Sequence, residues 1–170
     1  MDVILFRHGQ KGLVPFDDPS LSPDGFRQAD KIASLVLQKK LLQPSALWVS
    51  PKLRAGQTFQ ALSNELNLPN LVKPELDLRA DFEQKNVFKN RVQAFIESFG
   101  HKDAVKKELT EVDRCIFVCT HYDWIEEAMP LIPADRDLTT FEYTHWAPAH
   151  YIHFKINNGL WQVLKQGDPR

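Results

Sequence analysis

Short apolar runs that end in polar residues recur along the chain and constrain its fold more than any other feature. The first run, DVILF at residues 2–6, is continuous and rich in β-branched residues, as expected for a strand buried on both faces. The runs ALWVS (46–50) and RCIFVCT (114–120) have the same character, and LVKPEL (71–76) holds a further short strand. Because amphipathic segments separate these runs, the sequence predicts strands that alternate with helices around a mostly parallel sheet.

Four segments have the periodicity of amphipathic helices, and they span residues 21–42, 50–68, 86–99 and 121–132. Ser22 is the predicted N-cap of the first helix, with Pro23 just inside it. Ser50 and Pro51 stand at the predicted start of the second helix. The first helix has an apolar face made of Phe26, Ala29, Ile32, Ala33, Leu35, Val36 and Leu37.

The carboxyl-terminal part of the chain has a different pattern. AHYIHFKI (149–156) and LWQVLK (160–165) flank Asn-Asn-Gly, which is a tight-turn signal for a hairpin. We therefore expect a three-layer α/β/α fold around a mostly parallel sheet with an antiparallel edge strand. The length of 170 residues favours one domain, residues 1–170, and the charged stretch 100–113 reads as a linker or a solvated helix end.

Charge and hydropathy argue against several classes of partner. The net charge is -1, with basic residues spread along the chain, so nothing favours nucleic acid or an anionic membrane surface. The amino terminus enters a strand without a basic leader, and no window has the length of a membrane span. We expect a cytoplasmic protein, and the sequence leaves its oligomeric state open.

The cysteines and the carboxyl-terminal histidines raise the question of a metal or a disulfide. Cys115 and Cys119 lie in one predicted strand, about 13 Å apart, so they are expected to be small buried thiols. His145, His150 and His153 could suggest a metal site, but His150 and His153 point to opposite faces of a strand. Edge-strand or substrate-rim positions are the favoured interpretation, and we expect neither a metal nor an organic cofactor.

Polar side chains follow three of the predicted strands. Arg7 and His8 end the first, Ser50 ends the second and leads into a helix that carries Arg54, and His121 follows the third. Ligands of parallel sheets collect at the carboxyl ends of the strands. Each residue alone could be an ordinary surface or capping residue. Polar side chains that suit an anion follow three separate strands, however, and this agreement favours a common site.

These residues, if the strands are neighbours, form a site for a phosphate dianion. Two arginine forks and the amides of two helix N-termini bind phosphoryl oxygens, and an imidazole among them can attack phosphorus. Gly9 is expected to let the backbone turn and approach the anion without a Cβ atom.

Four segments, FRHGQ (6–10), LSPDGFRQA (21–29), VSPKLRAGQT (49–58) and VCTH (118–121), together resemble the histidine phosphatase superfamily with its phosphoglycerate-mutase-like fold. Within it, the small bacterial phosphohistidine phosphatases look most similar. The resemblance implies that His8 is the phosphorylated nucleophile and that Arg7, Arg54 and His121 hold the phosphoryl oxygens. The residues expected to bind substrate are Gly9, Gln10, Lys11, Ser50 and Tyr122. Tyr122 replaces a small residue of many members and is expected to narrow the pocket.

The proton donor departs from the pattern of the family. Many members carry a glutamate after a Leu-Arg pair, where this chain has Ala80. Asp81 is the favoured substitute, and Glu83 and Asp123 are the other candidates.

A weak or missing acid favours a phosphoryl donor with a good leaving group. We therefore expect a metal-independent phosphatase that acts on phosphohistidine protein or another reactive donor, so its partner is a phosphoprotein or a phosphorylated small molecule. The alternatives are a small-molecule phosphomonoesterase, a mutase, or a catalytically weak module that binds phosphorylated ligands.

Overall fold

The computed structural model describes residues 1–100 and 114–169, in which six strands form one sheet. The strands are β1 (Asp2–Arg7), β2 (Ala46–Val49), β3 (Asn70–Val72), β4 (Cys115–Thr120), β5 (Tyr151–Asn157) and β6 (Leu160–Gly167). The helices are α1 (Pro23–Leu37), α2 (Leu53–Leu66), α3 (Lys85–Ser98), α4 (Tyr122–Ala128) and α5 (Phe141–Thr144), with a 3₁₀ turn at Pro74–Leu76. The stretch that the sequence marks as a linker or a helix end lies, from residue 101 onward, outside the described residues.

The sheet has the strand order β3-β2-β4-β1-β5-β6. Strands β3, β2, β4 and β1 pair in parallel, whereas β5 pairs antiparallel with both β1 and β6. This arrangement confirms the expected mostly parallel sheet with an antiparallel edge. Because β4 is inserted between β1 and β2, Arg7 lies opposite Thr120, and Val49 lies opposite Cys119. The carboxyl ends of the three strands therefore meet at one edge.

Helices cover both faces of the sheet. Ile4 and Phe6 of β1 point into a core that α1 and α2 close, with Ile32 and Phe59 among its members. The alternate residues of β1 point to the other face, where α3 and α4 pack; Val92 is fully buried there. Alternation of side chains along a strand explains why every central strand is apolar on both faces. The fold is the three-layer α/β/α architecture expected from the sequence.

Helix α1 begins where the sequence predicts and ends earlier. The Ser22 hydroxyl accepts a hydrogen bond from the Gly25 amide, which confirms the N-cap, and Pro23 is the first helical residue. The helix ends at Leu37 rather than near residue 42, because the chain turns at Lys39, whose φ is 59°. Phe26 and Leu37, which the periodicity places on the apolar face, are 43% and 53% exposed.

The start of the second helix is a correction. Helix α2 begins at Leu53, with Lys52 in the N-cap position, so Ser50 does not cap it. The Ser50 hydroxyl instead contacts a histidine of the neighbouring strand end, as described below. Similarly, the segment 121–132 is helical only over Tyr122–Ala128, ahead of Pro130.

The carboxyl-terminal hairpin is confirmed. Asn158 and Gly159 join β5 to β6 with φ values of 49° and 81°, the left-handed conformations that a two-residue hairpin turn of this kind requires. Cys115 and Cys119 are buried free thiols on one face of β4, as predicted. Within the described ranges, every helix is too short or too polar to cross a membrane.

Candidate active site

His8 follows the last residue of β1, and backbone hydrogen bonds to two neighbouring segments of the chain hold it in place. Its amide donates to the Thr120 carbonyl of β4 at 3.0 Å, and its own carbonyl accepts from the Ala149 amide at 3.1 Å. The ring is buried, and Nδ1 lies 2.6 Å from the Gly9 carbonyl oxygen. A carbonyl can only accept, so Nδ1 carries the proton and Nε2 keeps its lone pair. His8 therefore presents the nitrogen that a nucleophile needs.

The second histidine, His121, lies beside the first. The two ring centroids are 5.1 Å apart, because β1 and β4 are paired neighbours. Arg54 joins them, since its Nε donates to His8 Nε2 at 3.2 Å and its Nη2 lies 3.3 Å from His121 Nδ1. On its other side, His121 Nε2 lies 2.6 Å from the Ser50 hydroxyl. The structure thus brings residues from three strand ends into one cluster.

The electrostatic environment keeps both imidazoles neutral. Burial lowers the pKa of His8 to about 3, helped by the cations Arg54, Arg7 and Lys11 and opposed by the hydrogen bond to Gly9. Burial is also the main reason that the pKa of His121 lies below its usual range, followed by the proximity of His8. The cationic cluster attracts negative charge, and a bound anion would offset these cations.

Arg54 is held by a residue that the sequence analysis did not identify. Asp18, in the loop between β1 and α1, lies 3.4 Å from Arg54 Nη1 through one carboxylate oxygen. Its other oxygen accepts the Leu53 amide at 3.0 Å. Asp18 therefore caps α2 and orients its arginine, and it takes an amide that we expected to bind the anion. No motif in the sequence marks this residue.

Arg7 lies at the end of β1, between two aromatic residues. It donates from Nη1 to the Trp146 carbonyl, and its guanidinium lies over the Tyr122 ring, 5.4 Å from the centroid. Its Nε is buried without a hydrogen-bond partner among the described residues. Partial burial lowers the pKa of Arg7, which still stays far above neutrality as for any arginine. A phosphoryl oxygen is a partner of suitable charge for this group.

The loop after His8 is tied to helices rather than open to a ligand. The Gly9 amide donates to the Thr58 hydroxyl at 2.9 Å, and the Gln10 amide donates to the Gln28 side chain at 2.8 Å. A Cβ atom on Gly9 would lie 3.0 Å from the Gly25 carbonyl oxygen. Close packing against α1 is therefore a sufficient reason for glycine here, in addition to the approach to an anion that the sequence suggested.

The remaining residues that we expected to bind substrate lie at the rim or in the cluster. Gln10 and Lys11 are exposed side chains beyond Gly9, and Tyr122 is 42% exposed. Tyr122 also lines a cavity of about 220 Å³ together with Met129 and Trp146. The cavity lies next to Arg7, because two of its lining residues, Tyr122 and Trp146, both contact the Arg7 guanidinium.

The three candidate acids differ in their surroundings. Glu83 pairs with Arg91 at 2.8 Å, and this pairing holds the pKa of Glu83 below its usual range. The Asp123 carboxylate accepts the Arg79 and Trp124 amides at 2.8 and 2.9 Å. Asp81 is exposed and makes no hydrogen bond or ion pair with the described residues.

A fourth carboxylate, which the sequence analysis missed, is closer to the cluster. Asp77 Oδ1 lies 3.5 Å from the Ser50 hydroxyl and 3.9 Å from His121 Nε2. Asp77 directly follows the segment 71–76 that holds the predicted short strand, and no motif distinguishes it from the acids that follow. The sequence analysis also missed the role of Thr58, whose hydroxyl accepts the Gly9 amide. Thr58 lies inside the motif segment VSPKLRAGQT, but the motif alone does not show this hydrogen bond.

The carboxyl-terminal histidines occupy separate places. His153 Nε2 lies 2.7 Å from the Asp2 carboxylate on β1, and the His150 ring packs edge-on against Trp146. No group of three or more histidine, cysteine or acidic side chains in residues 1–100 and 114–169 is arranged to hold a metal ion. For His153 the expected edge-strand position is wrong, because β5 lies between β1 and β6 and the side chain is buried against Asp2.

Comparison with known families places the cluster in context. The family model of the histidine phosphatase superfamily (branch 1) matches residues 3–80, and this match confirms the resemblance carried by the motifs. No curated protein sequence matches the chain closely enough to count as a relative.

Two solved structures illustrate the shared fold. The protein histidine phosphatase SixA, complexed with tungstate, is 20% identical, with a TM-score of 0.72 and coverage of 99% of this chain and 97% of its own. A mutant phosphoserine phosphatase from Entamoeba histolytica, complexed with phosphoserine, is 14% identical, with a TM-score of 0.68 and coverage of 99% and 98%. With sequence identities this low, the structural similarity shows that this chain shares the fold of these two proteins.

Proposed function

We propose that this protein is a phosphatase, carried on one domain of residues 1–170, that works through a phosphohistidine intermediate at His8. One observation carries the proposal: the Arg54 guanidinium joins His8 Nε2 and His121 Nδ1 at 3.2 and 3.3 Å. A guanidinium fork between two buried imidazoles is complementary in shape and in charge to a phosphoryl group. Arginine supplies the positive field, so the proposed reaction needs neither a metal nor an organic cofactor.

In the first step, the lone pair of His8 Nε2 attacks phosphorus and forms a P–N bond. The bond from phosphorus to the leaving group breaks, and its electron pair leaves with that group, which takes a proton from Asp81 when it needs one. The hydrogen bond from Nδ1 to the Gly9 carbonyl supports the positive charge that develops on the ring. Arg7, Arg54 and His121 offset the charge on the phosphoryl oxygens.

In the second step, the oxygen of a water molecule attacks phosphorus, and the P–N bond breaks. The electron pair of that bond returns to His8 Nε2, and the carboxylate takes the proton that the water loses. Inorganic phosphate leaves. If the leaving group took no proton in the first step, the carboxylate releases its proton to solvent, and the site returns to its starting state.

The surroundings of the acids favour reactive substrates. Glu83 and Asp123 are engaged by other groups, and Asp81 is exposed, so proton donation to a basic alkoxide is weakly supported. A phosphohistidine on a protein, or another donor with a good leaving group, needs less help. We place the activity in the cytoplasm, where free thiols such as those of Cys115 and Cys119 persist.

The test is trapping and substitution of the nucleophile. Wild-type protein mixed with 4-nitrophenyl phosphate and quenched in alkali should carry an acid-labile phosphoryl group on His8, found by mass spectrometry. His8→Ala should abolish turnover, and His8→Asn serves as a second variant that keeps a polar side chain in the buried site. A phosphohistidine peptide should be hydrolysed faster than glucose 6-phosphate. Turnover that survives in both variants would reject the assignment.

A further inference from the structure

A chain of hydrogen bonds continues from the candidate site to a carboxylate. Because an arginine can only donate, the contact with Arg54 makes His121 Nδ1 the acceptor, and the ring proton lies on Nε2. This N–H donates to the Ser50 hydroxyl at 2.6 Å, and that hydroxyl is oriented toward Asp77 Oδ1 at 3.5 Å. The chain therefore runs from Arg54 through His121 and Ser50 to Asp77.

We propose that Asp77 is a positioning residue that, through Ser50, holds the proton of His121 on Nε2 and stabilises the imidazolium when an oxyanion binds. The inference rests on the proposed function and adds to it a residue outside the motifs. In the bound state, Nδ1 takes a proton from solvent and gives up its bond from Arg54, and the new N–H donates a hydrogen bond to an anion oxygen while Nε2–H keeps its bond to Ser50. The carboxylate then lies near the positive ring.

The charges that face His121 explain why such a carboxylate is needed. The cationic and titratable groups around the ring are His8, Arg7, Arg54 and Lys52, and each disfavours a proton on the ring, in addition to the effect of burial. Asp77, from the segment after β3, is the carboxylate that lies within 4 Å of the ring among the described residues, at 3.9 Å. A nearby negative charge favours the protonated form of an imidazole.

Asp123, the carboxylate nearest to His121 in sequence, is committed elsewhere. It accepts amides of Arg79 and Trp124, so both oxygens are engaged at the start of α4. Tyr122, the other neighbour, faces the Arg7 guanidinium.

The backbone of Asp77 is held from three directions, so its carboxylate is oriented before any ligand binds. Its amide donates to the Pro74 carbonyl at 3.1 Å, and its carbonyl accepts from Arg91 of α3 at 2.9 Å. The adjacent Leu76 is fully buried, and the Leu76 carbonyl accepts the Thr120 hydroxyl at 2.6 Å. The Leu78 amide also donates to Asp77 Oδ1 at 2.8 Å.

The decisive variant is Asp77→Asn, which keeps an acceptor oxygen and the side-chain shape but removes the charge. With 4-nitrophenyl phosphate, kcat should fall by about tenfold, KM should change less than about threefold, and the alkaline limb of the kcat profile should move about one pH unit toward acid. The sign follows because loss of the carboxylate makes the His121 imidazolium harder to keep as pH rises. Glu75→Gln is the matched control: it removes one exposed negative charge two residues away and should leave the profile unchanged.

A second measurement does not depend on turnover. Tungstate is added to the protein labelled with ¹⁵N-histidine, and the His121 ring nitrogens are titrated by NMR. In the wild type, tungstate should raise the pH at which His121 loses its second proton, and Asp77→Asn should reduce this rise by about one unit. An identical titration in both proteins, or an equal change in Glu75→Gln, would overturn the role of Asp77. If the wild type fails to turn over substrate but this difference persists, the proposed function fails while the assignment of Asp77 stands.

Discussion

The backbone of Gly25 in α1 packs directly against the carbonyl oxygen of Gln10, in the loop that follows His8. A Cβ atom on Gly25 would overlap this oxygen and would also meet Leu21 at 3.0 Å. The two sequence motifs that hold Gly9 and Gly25 are therefore spatial partners, and the glycine fixes how closely the first helix approaches the loop of the site.

Gly25→Ala should destabilise the protein, because the atom in the way belongs to the backbone and cannot move aside as a side chain would. We expect a loss of about 1–3 kcal/mol in the free energy of unfolding, measured by urea denaturation. The matched control is Gly56→Ala in α2, where the nearest atom would lie 3.8 Å from the new Cβ. That change should stabilise the helix by about 0.5–1 kcal/mol, and equal effects of the two substitutions would contradict the packing argument.

Stability should fall as pH decreases below the ordinary pKa of histidine. Burial lowers the folded-state pKa of His8 to about 3, against about 6.5 for an ordinary histidine, so the unfolded chain binds a proton that the folded chain does not. The stability is fully present above pH 6.5 and is lost toward pH 3, by about 2 kcal/mol at pH 5 from this residue alone.

Denaturation of the wild type and of His8→Asn between pH 7 and 5 checks this expectation. The variant cannot take up the proton, so its free energy of unfolding should decline less steeply. Parallel pH dependences of the two proteins would show that the His8 ring is protonated as easily in the folded chain as in the unfolded one.

Thr58 should matter through the hydrogen bond that it accepts from the Gly9 amide. Thr58→Val leaves this buried amide without its partner, at 2.9 Å in the wild type, and also removes the bond from the hydroxyl to the Arg54 carbonyl. We expect a loss of about 1–3 kcal/mol, measured as the midpoint shift in urea, together with lower activity because the loop carries His8. Thr58→Ser retains the hydroxyl and should recover most of both quantities. A serine variant as impaired as the valine variant would point to the methyl group instead.

The contribution of Asp81 should depend on the leaving group. Asp81→Asn removes the proton donor that we favour, so hydrolysis of an alkyl phosphate such as glycerol phosphate should slow by up to about 10²-fold. Acetyl phosphate, whose leaving group needs no proton, should be hydrolysed at nearly the wild-type rate. The ratio of kcat/KM for the two substrates is the measured quantity. An equal loss on both would assign Asp81 to phosphate binding, and no loss on either would remove it from the reaction.

Local patterns in the sequence predict the strands, the cap at Ser22, the hairpin turn at Asn158 and Gly159, and the strand ends that carry polar, chemically active residues. These features depend on local propensity and on the periodicity of apolar residues, which operate over a few neighbouring positions. The resemblance also rested on local motifs.

The residues that those motifs contact depend on how the whole domain packs, which the local sequence does not show. The insertion of β4 between β1 and β2 brings His121 beside His8, and loops distant in sequence bring Asp18 to Arg54 and Asp77 to Ser50. An acidic residue in a polar loop has no periodicity that marks its contacts, so sequence reasoning could not separate Asp77 from Asp81 or Glu83. Hydrogen bonds between such residues depend on where the packed sheet and helices place the loops, because β4 pairs with β1 and β2, and each of these strands is more than 60 residues away in the sequence.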